Sequence, residues 1–582
     1  MATKLKNRLR IWGDISRFLL LDLSQPFYIH GFILFILSFL VSGYTIYEIN
    51  QAIQIPLIHL LNNPSLYPND PFAATLLDYP ALLWRIVAWM ARVIPLEPLL
   101  LGLFVLERLL VIYAAGNLAR TLANESKLAI VGAIAIFALA ITPILGHGTI
   151  VETYFEQTGL SIPFFLLAIA SFYQSRPLPC AIWTAIGFNL NCMYGTYALT
   201  YFGAVFLLDA TYRQAWKKWL RAFGLFLVLA SPTIVLTISA FARNAPDNHL
   251  WLLATQLRFS HHFYPLSWDW EEFAKFAVLV VALLALLYQN RQKLEKLFKH
   301  GAIWTGVSLL WLVYAILAAY LFKSPSMLVM HPARGTDLWY CFAGIALTSL
   351  CALNVETRQG RHRGIFWAIA FCVSIFFWHT PVGLYIIIAV YLIALIWQPL
   401  GDYLLAKESS SHLALLIAVG VFLAGVGNFR SRLAKTQSLE MALLQRPTSS
   451  IEEIANWATV NTSPNAVFLV SPAARDGRYF RALAKRPVFT TWKDASAILW
   501  ERSFVQVWAE RIKVFGFDIT QEKLELEKAS EKLKSLYEHL QDKDVKLLKS
   551  RFPINYWVVS VKKPSEFAIA FQNPSYKILE LK

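Results

Sequence analysis

The sequence predicts a mainly α-helical membrane protein, a polytopic bundle of about thirteen transmembrane spans followed by a small C-terminal α/β domain. Of the 582 residues, 57% are hydrophobic and only 15% are charged, whereas a soluble protein carries about 25% charged residues. Apolar segments of helix length recur as far as residue 429, and the rest of the chain is charged and alternates between helical and strand patterns. This composition excludes a disordered chain, a disulfide-rich secreted scaffold and an ordinary cytosolic enzyme.

A basic N-terminus precedes the first span. Residues 1–28 contain Lys4, Lys6, Arg8 and Arg10 but no short apolar run with a cleavage site, so they are predicted to be a cytoplasmic segment rather than a cleaved signal. The first span, 29–49, is long enough to cross about 30 Å of hydrocarbon. The other predicted spans centre near residues 108, 137, 166, 185, 202, 231, 280, 312, 345, 372, 389 and 420.

Two pairs of apolar segments, 178–209 and 365–397, are short and tightly spaced. The first is interrupted by Asn189 and Asn191, and the second by His379 and Pro381. Each pair is therefore predicted to form a hairpin of short helices. Such breaks are tolerated at membrane depth only where the backbone faces protein or a water-filled cavity.

The distribution of basic residues predicts the orientation. The formal net charge is +16, and Lys and Arg concentrate in every second connection between spans. The positive-inside rule then places the N-terminus in the cytoplasm. The predicted organisation is a cytoplasmic N-terminus (1–28), a transmembrane domain (29–429) with a long first outer loop (50–97), and an extracytoplasmic α/β domain (430–582). Topology accounts for the positive charge, so no nucleic-acid partner is expected.

The C-terminal segment predicts a small α/β domain. Ser450 and Glu453 have the spacing of a capping box that opens a helix. Strands are expected in NAVFLVSP, RPVFTTW, NYWVVSV, EFAIAF and YKILEL, and helices over 494–515 and 521–548.

Polar residues concentrate at the outer ends of the predicted spans, and ionisable residues near a membrane are candidates for function because burying them is costly. The candidates, in chain order, are Asp70, Asp78, Glu152, Asn189, Asn191, Tyr194, Arg258, His261, His262 and Arg334. No metal-ligand motif is present. His261 and His262 are adjacent and point in different directions on a helix, so binding of phosphate or water is favoured over zinc. The cofactor requirement is left open, a divalent metal included.

Several of these features resemble the GT-C superfamily of polytopic membrane glycosyltransferases. The first outer loop is long and carries Asp70, the segment RFSHHFYPLSW resembles an outer loop of bacterial members, and a small α/β domain ends the chain. The resemblance implies a protein of the bacterial plasma membrane that transfers a sugar from a polyprenyl-phosphate donor to an extracytoplasmic acceptor. Membrane lipid and the lipid-linked sugar would be its partners, and the oligomeric state is left open.

The resemblance also implies roles for the candidate residues. Asp70 would be the catalytic base, with Asp78 or Glu152 as alternatives, since a carboxylate can accept the proton of the acceptor hydroxyl. Arg258 and Arg334, assisted by His261 and His262, would bind the phosphate. Four other residues would contact the sugar: Asn189, Asn191, Tyr194 and Trp251. The sequence departs from the family in having Asn69 beside Asp70 instead of a second carboxylate.

Two other functions are consistent with the sequence. A transporter or flippase of a lipid-linked or anionic solute would use the two broken hairpins, because discontinuous helices line transport sites. A noncatalytic assembly factor would present the C-terminal domain to partners. An enzyme requires Asp70 in an outward cavity near Arg334 or His261, and a transporter requires a polar path through the membrane.

Overall fold

The computed structural model describes residues 27–139, 143–146, 148–241, 248–356, 409–522 and 525–582. Almost all of the basic N-terminus and the whole predicted hairpin 365–397 lie outside these ranges. The described chain is mainly helical and ends in a region that contains a small sheet.

Four helices in the described ranges are long and apolar enough to cross a membrane: Leu96–Leu122, Trp216–Ile238, Glu295–Leu321 and Pro325–Leu353. The prediction of about thirteen spans is therefore not supported. Several apolar segments that were expected to span instead form helices of 12 to 17 residues. At 1.5 Å per residue such helices are about 18 to 26 Å long, which is shorter than about 30 Å of hydrocarbon.

The helices of the bundle are α1 (Phe27–Ser42), α5 (Leu96–Leu122), α6 (Lys127–Ala138), α7 (Gln157–Tyr173), α8 (Pro177–Leu190), α9 (Cys192–Leu208), α10 (Ala210–Gln214), α11 (Trp216–Phe241), α12 (Asn248–Arg258), α13 (Ser260–Phe263), α14 (Trp270–Gln289), α15 (Glu295–Ile316), α16 (Pro325–Leu328), α17 (Asp337–Glu356) and α18 (Ser409–Thr436). Most of these helices contribute buried side chains to one large apolar core. The buried side chains of α12, α13 and α16 belong to a second core, and those of α11 belong to a smaller cluster with α8.

The predicted hairpin at 178–209 is confirmed. Helix α8 ends at Leu190, α9 begins at Cys192, and the two helices pack against each other. The side chain of Asn191 caps α9 by accepting a hydrogen bond from the backbone N–H of Tyr194 at 3.3 Å. An Asn at this position supplies the acceptor that the free N–H groups of the new helix need.

Several connections of the bundle meet at one end, which we call the basic end. There, Gln174 Nε2 donates to Thr121 Oγ1 at 3.0 Å, Lys296 Nζ donates to Ser175 Oγ at 3.0 Å, and His300 lies 3.5 Å from Asp209. The segment from 43 to 95 and the C-terminal region cover the opposite end, which we call the domain end.

The segment from 43 to 95, predicted as the first outer loop, is largely helical. It contains α2 (Gln51–Asn62), α3 (Pro71–Thr75), a 3-10 turn at Leu76–Asp78 and α4 (Leu82–Met90). Strand β1 (Tyr44–Thr45) pairs in parallel with β4 (Leu444–Gln445). Beside this pair, Arg432 on α18 donates hydrogen bonds of 2.7 Å to the carbonyl groups of Leu40 and Val41 at the end of α1.

The C-terminal region surrounds a four-stranded sheet of order β5-β6-β8-β7. Its strands are β5 (Phe468–Leu469), β6 (Tyr556–Ser560), β7 (Ala568–Gln572) and β8 (Tyr576–Glu580), and a separate pair is formed by β2 (Pro143–Ile144) and β3 (Gly148–Thr149). The helices are α19 (Leu439–Leu443), α20 (Ser449–Asn461), α21 (Arg475–Ala484), a 3-10 helix at Trp492–Leu499, α22 (Phe504–Lys513), α23 (Leu526–His539) and α24 (Asp542–Arg551).

The two faces of the sheet are buried in different cores. Phe468, Val558 and Ile578 on one face pack against α20 and α21. Leu469 and Leu579 on the other face belong to a core that also contains side chains of α2, α3 and α12. Since residues of a strand alternate between its faces, the sheet joins the helices of its own domain to the segment from 43 to 95.

Two local predictions for the C-terminal region are wrong. The capping box of Ser450 and Glu453 does not form, because Thr448 occupies the N-cap position of α20 and Glu453 accepts a hydrogen bond from Asn573 instead. The segment RPVFTTW is not a full strand, and within it only Val488 makes a bridge, to Phe468. Residues of this segment instead contact two buried carboxylates: the backbone N–H of Val488 donates to Asp70, and the hydroxyl of Thr491 donates to Asp494.

Leu579→Ala should lower the free energy of unfolding of the purified chain by about 2 to 5 kcal/mol, because it removes a fully buried side chain. Leu579 is 0% exposed, whereas its cross-strand neighbour Ile569 is 54% exposed. Ile569→Ala is therefore the matched control and should change stability by no more than about 0.5 kcal/mol. Chemical denaturation in detergent, followed by tryptophan fluorescence, measures both. Equal losses in the two variants would contradict the burial of this face.

Candidate functional site

Asp70 begins the short helix α3. Its Oδ1 accepts hydrogen bonds from the backbone N–H groups of Phe72 at 3.1 Å and Ala73 at 3.2 Å. This is the usual action of an Asp at an N-cap, followed here by Pro71 at the first helical position. Only 3% of Asp70 is exposed, so its carboxylate is buried rather than open to an outward cavity.

Arg481 of α21 connects Asp70 to Asp494. Its Nε lies 2.7 Å from Asp70 Oδ2, and its Nη1 and Nη2 each lie 2.9 Å from an oxygen of Asp494. We call these three residues the Arg481 clamp. Burial opposes the charge of Arg481, but the two carboxylates outweigh it and raise the pKa of the guanidinium. The clamp thereby attaches the helix after Asp70 to the C-terminal domain.

Both oxygens of Asp70 are thus occupied. Oδ2 also accepts a hydrogen bond from the backbone N–H of Val488 at 3.0 Å. A base needs a lone pair that can reach a substrate proton. The catalytic role of Asp70 stays a prediction, and these contacts favour a structural role instead.

Three cations lie together where the C-terminal domain meets the bundle: Arg258, Arg478 and Lys493. Arg258 at the end of α12 donates from Nε to the carbonyl of Trp492 at 3.2 Å. Lys493, which is 9% exposed, donates to Asn50 Oδ1 at 2.8 Å. We call these residues the cationic trio. None of them forms an ion pair with a carboxylate in the described part of the chain.

The electrostatics of the cationic trio are unfavourable in its present surroundings. Burial lowers the pKa of Lys493, and the charges of Arg258 and Arg478 lower it further. Burial and Arg478 together lower the pKa of Arg258 to about 9. Lys493 is the buried member of the trio, whereas Arg258 and Arg478 are partly exposed, and a buried charge normally requires a partner of opposite charge. The cationic trio is therefore suited to bind an anion.

Two carboxylates lie near Lys493, and the charges of Glu156 and Glu152 partly offset the lowering of its pKa. Glu156 caps α7 by accepting from the backbone N–H of Thr158 at 2.6 Å. Glu152 accepts from Thr149 Oγ1 at 2.5 Å. Burial raises the pKa of Glu152, and nearby Glu156 adds to this effect. A carboxylate with a raised pKa is suited to accept a proton near neutral pH.

Arg334 is held by aromatic and acidic side chains. Its Nη2 donates to Tyr194 OH at 3.0 Å and its Nε lies 3.2 Å from Asp337 Oδ2. Tyr197 OH donates to the carbonyl of His331 at 2.8 Å, and Tyr201 OH donates to that of Gly335 at 2.7 Å. The three tyrosines lie on one face of α9 because they are separated by three and four residues. They fix the turn that carries Arg334.

His261 and His262 lie between this turn and the cationic trio. Their rings are 3.9 Å apart, and the ring of His262 is 5.9 Å from that of His331. Burial lowers the pKa of His262, followed by the charges of His261 and Arg334. His262 is accordingly a neutral hydrogen-bonding group at pH 7.

Two buried charges extend the polar region into α5, the long apolar helix that contains Glu107 and Arg108. Arg108 donates a short hydrogen bond to the carbonyl of Glu152. Glu107 packs against Gly159, where a Cβ would lie only 2.1 Å from the carboxylate. Any side chain at position 159 would therefore clash with the carboxylate of Glu107.

The structure thus brings together some predicted site residues and separates others. Arg258, His261, His262, Arg334 and Glu152 lie in one region, and Tyr194 binds Arg334. Asn191 instead donates to Thr158 Oγ1 at 3.1 Å, Asn189 donates to the carbonyl of Leu229 at 2.8 Å, and Asp78 ends a 3-10 turn. Asn189 and Asn191 thus connect helices of the bundle rather than facing the charged region.

Sequence reasoning missed Arg478, Lys493 and Arg481. Their signal was the run of cations in ARDGRYFRALAKRPVFTTWKD, a stretch that also contains apolar segments. Cations next to predicted buried segments are costly and indicate a function or a buried ion pair. In the described ranges, no group of three or more His, Cys, Asp or Glu side chains is arranged to hold a metal ion.

Residues 449–515 match a family described as a domain of unknown function, DUF6798. No curated protein matches the sequence. The matched segment carries Arg481 and Asp494 of the clamp and Arg478 and Lys493 of the cationic trio. It therefore contributes both to the attachment of the domain and to the charged region.

Arg481→Met should lower the free energy of unfolding by about 3 to 5 kcal/mol, because it leaves Asp70 and Asp494 buried without a cation. Arg475→Met is the matched control on the same helix. The side chain of Arg475 is 61% exposed and pairs with Glu48, so its loss should cost no more than about 1 kcal/mol. Chemical denaturation of the purified chain measures both variants. A similar small loss in both would show that the clamp contributes nothing beyond a surface ion pair.

Acid should destabilise the protein partly through His59. Burial, followed by the charge of Lys485, lowers the pKa of His59 to about 3. Below the ordinary histidine pKa of about 6.5, His59 binds a proton in the unfolded chain but stays neutral in the folded chain. The free energy of unfolding therefore decreases as the pH is lowered, by up to about 1.4 kcal/mol per pH unit. His59→Gln should reduce this dependence between pH 7 and pH 5. An unchanged slope in unfolding experiments would show that His59 titrates alike in both states.

Proposed function

We propose that the protein is an integral-membrane glycosyltransferase of the GT-C type that uses a polyprenyl-phosphate sugar as its donor. The observation that carries the proposal is the cationic trio, which forms no ion pair with a carboxylate among the described residues and whose Lys493 lies near Glu152 and Glu156. A phosphate-linked donor needs fixed positive charge for its leaving group and a carboxylate for the acceptor.

The cationic trio would bind the phosphate of the donor. Arginine has two parallel N–H groups that match two phosphate oxygens, and lysine adds a point charge. As the glycosidic bond breaks, negative charge grows on the phosphate, and cations already in place stabilise this charge without further reorganisation. Arg334 would be a second source of positive charge, although Asp337 neutralises part of it.

Glu152 would be the base in place of Asp70. The acceptor hydroxyl loses its proton to the carboxylate while its oxygen attacks the anomeric carbon, and the phosphate leaves with the bonding electrons. The raised pKa of Glu152 favours proton transfer near neutral pH. Glu156 is less suited to this role because its carboxylate caps α7.

The proposal places the domain end outside the cytoplasm of a bacterial plasma membrane. The basic connections of the bundle lie at the opposite end, as the positive-inside rule requires for this orientation. Lipid-linked donor and acceptor would then meet beneath the C-terminal domain.

One observation favours a transporter or flippase as the alternative. Glu107 and Arg108 are buried within a helix that is long enough to span the membrane, and intramembrane charges often mark the path of a solute. A noncatalytic assembly factor requires neither these charges nor the cationic trio. The alternatives differ in whether a bound lipid phosphate loses its sugar.

Glu152→Gln should reduce sugar transfer by about 100- to 10,000-fold while leaving binding of polyprenyl phosphate nearly unchanged, because it removes only the proton acceptor. Lys493→Met should instead weaken binding of polyprenyl phosphate by about tenfold or more. The measurements are transfer from a panel of polyprenyl-phosphate sugars in membranes and binding of polyprenyl phosphate to the purified chain.

The matched controls are Glu566→Gln and Lys546→Met, whose side chains are 86% and 61% exposed on the C-terminal domain. Both controls should behave like the wild type. Phosphate binding without transfer from any donor would favour the transporter. Equal binding by wild type and Lys493→Met would remove the cationic trio from the proposed mechanism.

A further inference from the structure

A deep apolar groove opens near the basic end, away from the charged region. It has a volume of about 480 Å³ and is lined by side chains of α7, α8, α9 and α11. Its floor is buried, with Phe172, Cys180 and Phe226 between 1% and 4% exposed. The groove is therefore a recess between helices rather than a flat surface that faces lipid.

The rim of the groove is exposed and aromatic. Trp216 is 50% exposed, Leu220 is 58% exposed and Phe223 is 46% exposed, all on one face of α11. Tryptophan at the end of an apolar helix is typical of the boundary between the hydrocarbon and the headgroups of a membrane. The mouth of the groove thus has the character of a lipid headgroup region.

Two cations lie at this mouth. Lys217 is exposed, and its Nζ lies 5.9 Å from the ring centroid of Trp216 on the rim, whereas Lys218 and Arg221 project from α11 away from the groove lining. Arg176 directly precedes Pro177, which lines the groove at the start of α8. The nearby carboxylate of Asp209 is already engaged, by the backbone N–H of Thr211 at 2.9 Å and by His300. The mouth therefore carries net positive charge.

We infer that the groove is a binding site for one anionic phospholipid, with an acyl chain along its apolar floor and the phosphate headgroup among these cations. The apolar lining explains the affinity for the acyl chain. Basic residues at a membrane surface explain the preference for a lipid with a negatively charged headgroup. A soluble phosphate would leave the groove unfilled, and a zwitterionic lipid would not use the cations.

This site is separate from the proposed donor site. Helix α7 begins at the charged region with Glu156 as its cap and ends at Tyr173 beside the groove, so its 17 residues place the two about 25 Å apart. The inference does not depend on the proposed function.

The test uses two glycines where the structure leaves open space. A Cβ added at Gly203, in the groove lining, or at Gly224, on α11 outside the groove lining, would meet no atom within 4 Å. Gly203→Leu should fill the groove, and Gly224→Leu is the matched control. The purified full chain is incubated in detergent with phosphatidylglycerol or phosphatidylcholine, washed, and analysed by native mass spectrometry for retained lipid.

The wild type and Gly224→Leu should retain one phosphatidylglycerol per chain, and Gly203→Leu should lose about tenfold or more of it. Lys217→Gln with Arg176→Gln should remove most of the preference for phosphatidylglycerol over phosphatidylcholine. Equal retention by Gly203→Leu and wild type would overturn the site. Equal retention of the two lipids by the wild type would overturn its selectivity for negative charge. Identical elution volumes of all variants in size-exclusion chromatography establish that the bundle is intact.

Discussion

The attachment of the C-terminal domain depends on a buried guanidinium that must be neutralised. Arg481 is 2% exposed, and an isolated charge at that depth would be costly. Asp70 and Asp494 provide the two carboxylates, although Asp70 is 411 residues away in sequence. Because Lys493 precedes Asp494 and Trp492 accepts a hydrogen bond from Arg258, the same interaction positions the cationic trio. Folding of the charged region and attachment of the domain are therefore linked.

The bundle separates two kinds of chemistry at its two ends. At the domain end, buried carboxylates, cations and histidines lie beneath a folded domain, where a low dielectric strengthens their effects on one another. At the basic end, exposed cations border an apolar groove and act as a surface charge. The apolar core between the ends contains α6, α7 and α17, and their burial keeps the ends apart.

Sequence reasoning was accurate where a single feature determined the outcome. The break at Asn191, the helical class and the strands of the terminal sheet follow from local patterns. Arg258, His261, His262 and Arg334 lie in one region, whereas Asp70, which was expected beside Arg334 or His261, is held by Arg481. Asp70 was expected in an outward cavity, but nothing local in the sequence indicates that Arg481 covers it.

The sequence by itself determined that the chain is a mainly helical protein with apolar helices and a terminal α/β region, because hydrophobic composition and periodicity are local properties. It also determined which end of each apolar segment carries polar residues. Only the tertiary structure decided how many helices are long enough to span, since helix ends depend on capping and packing. It alone decided that Asp70 belongs to a clamp while Lys493 and Arg478 join Arg258. Ion pairs between residues hundreds of positions apart form only when folding brings the two partners together, and removal of water makes an unpaired charge costly.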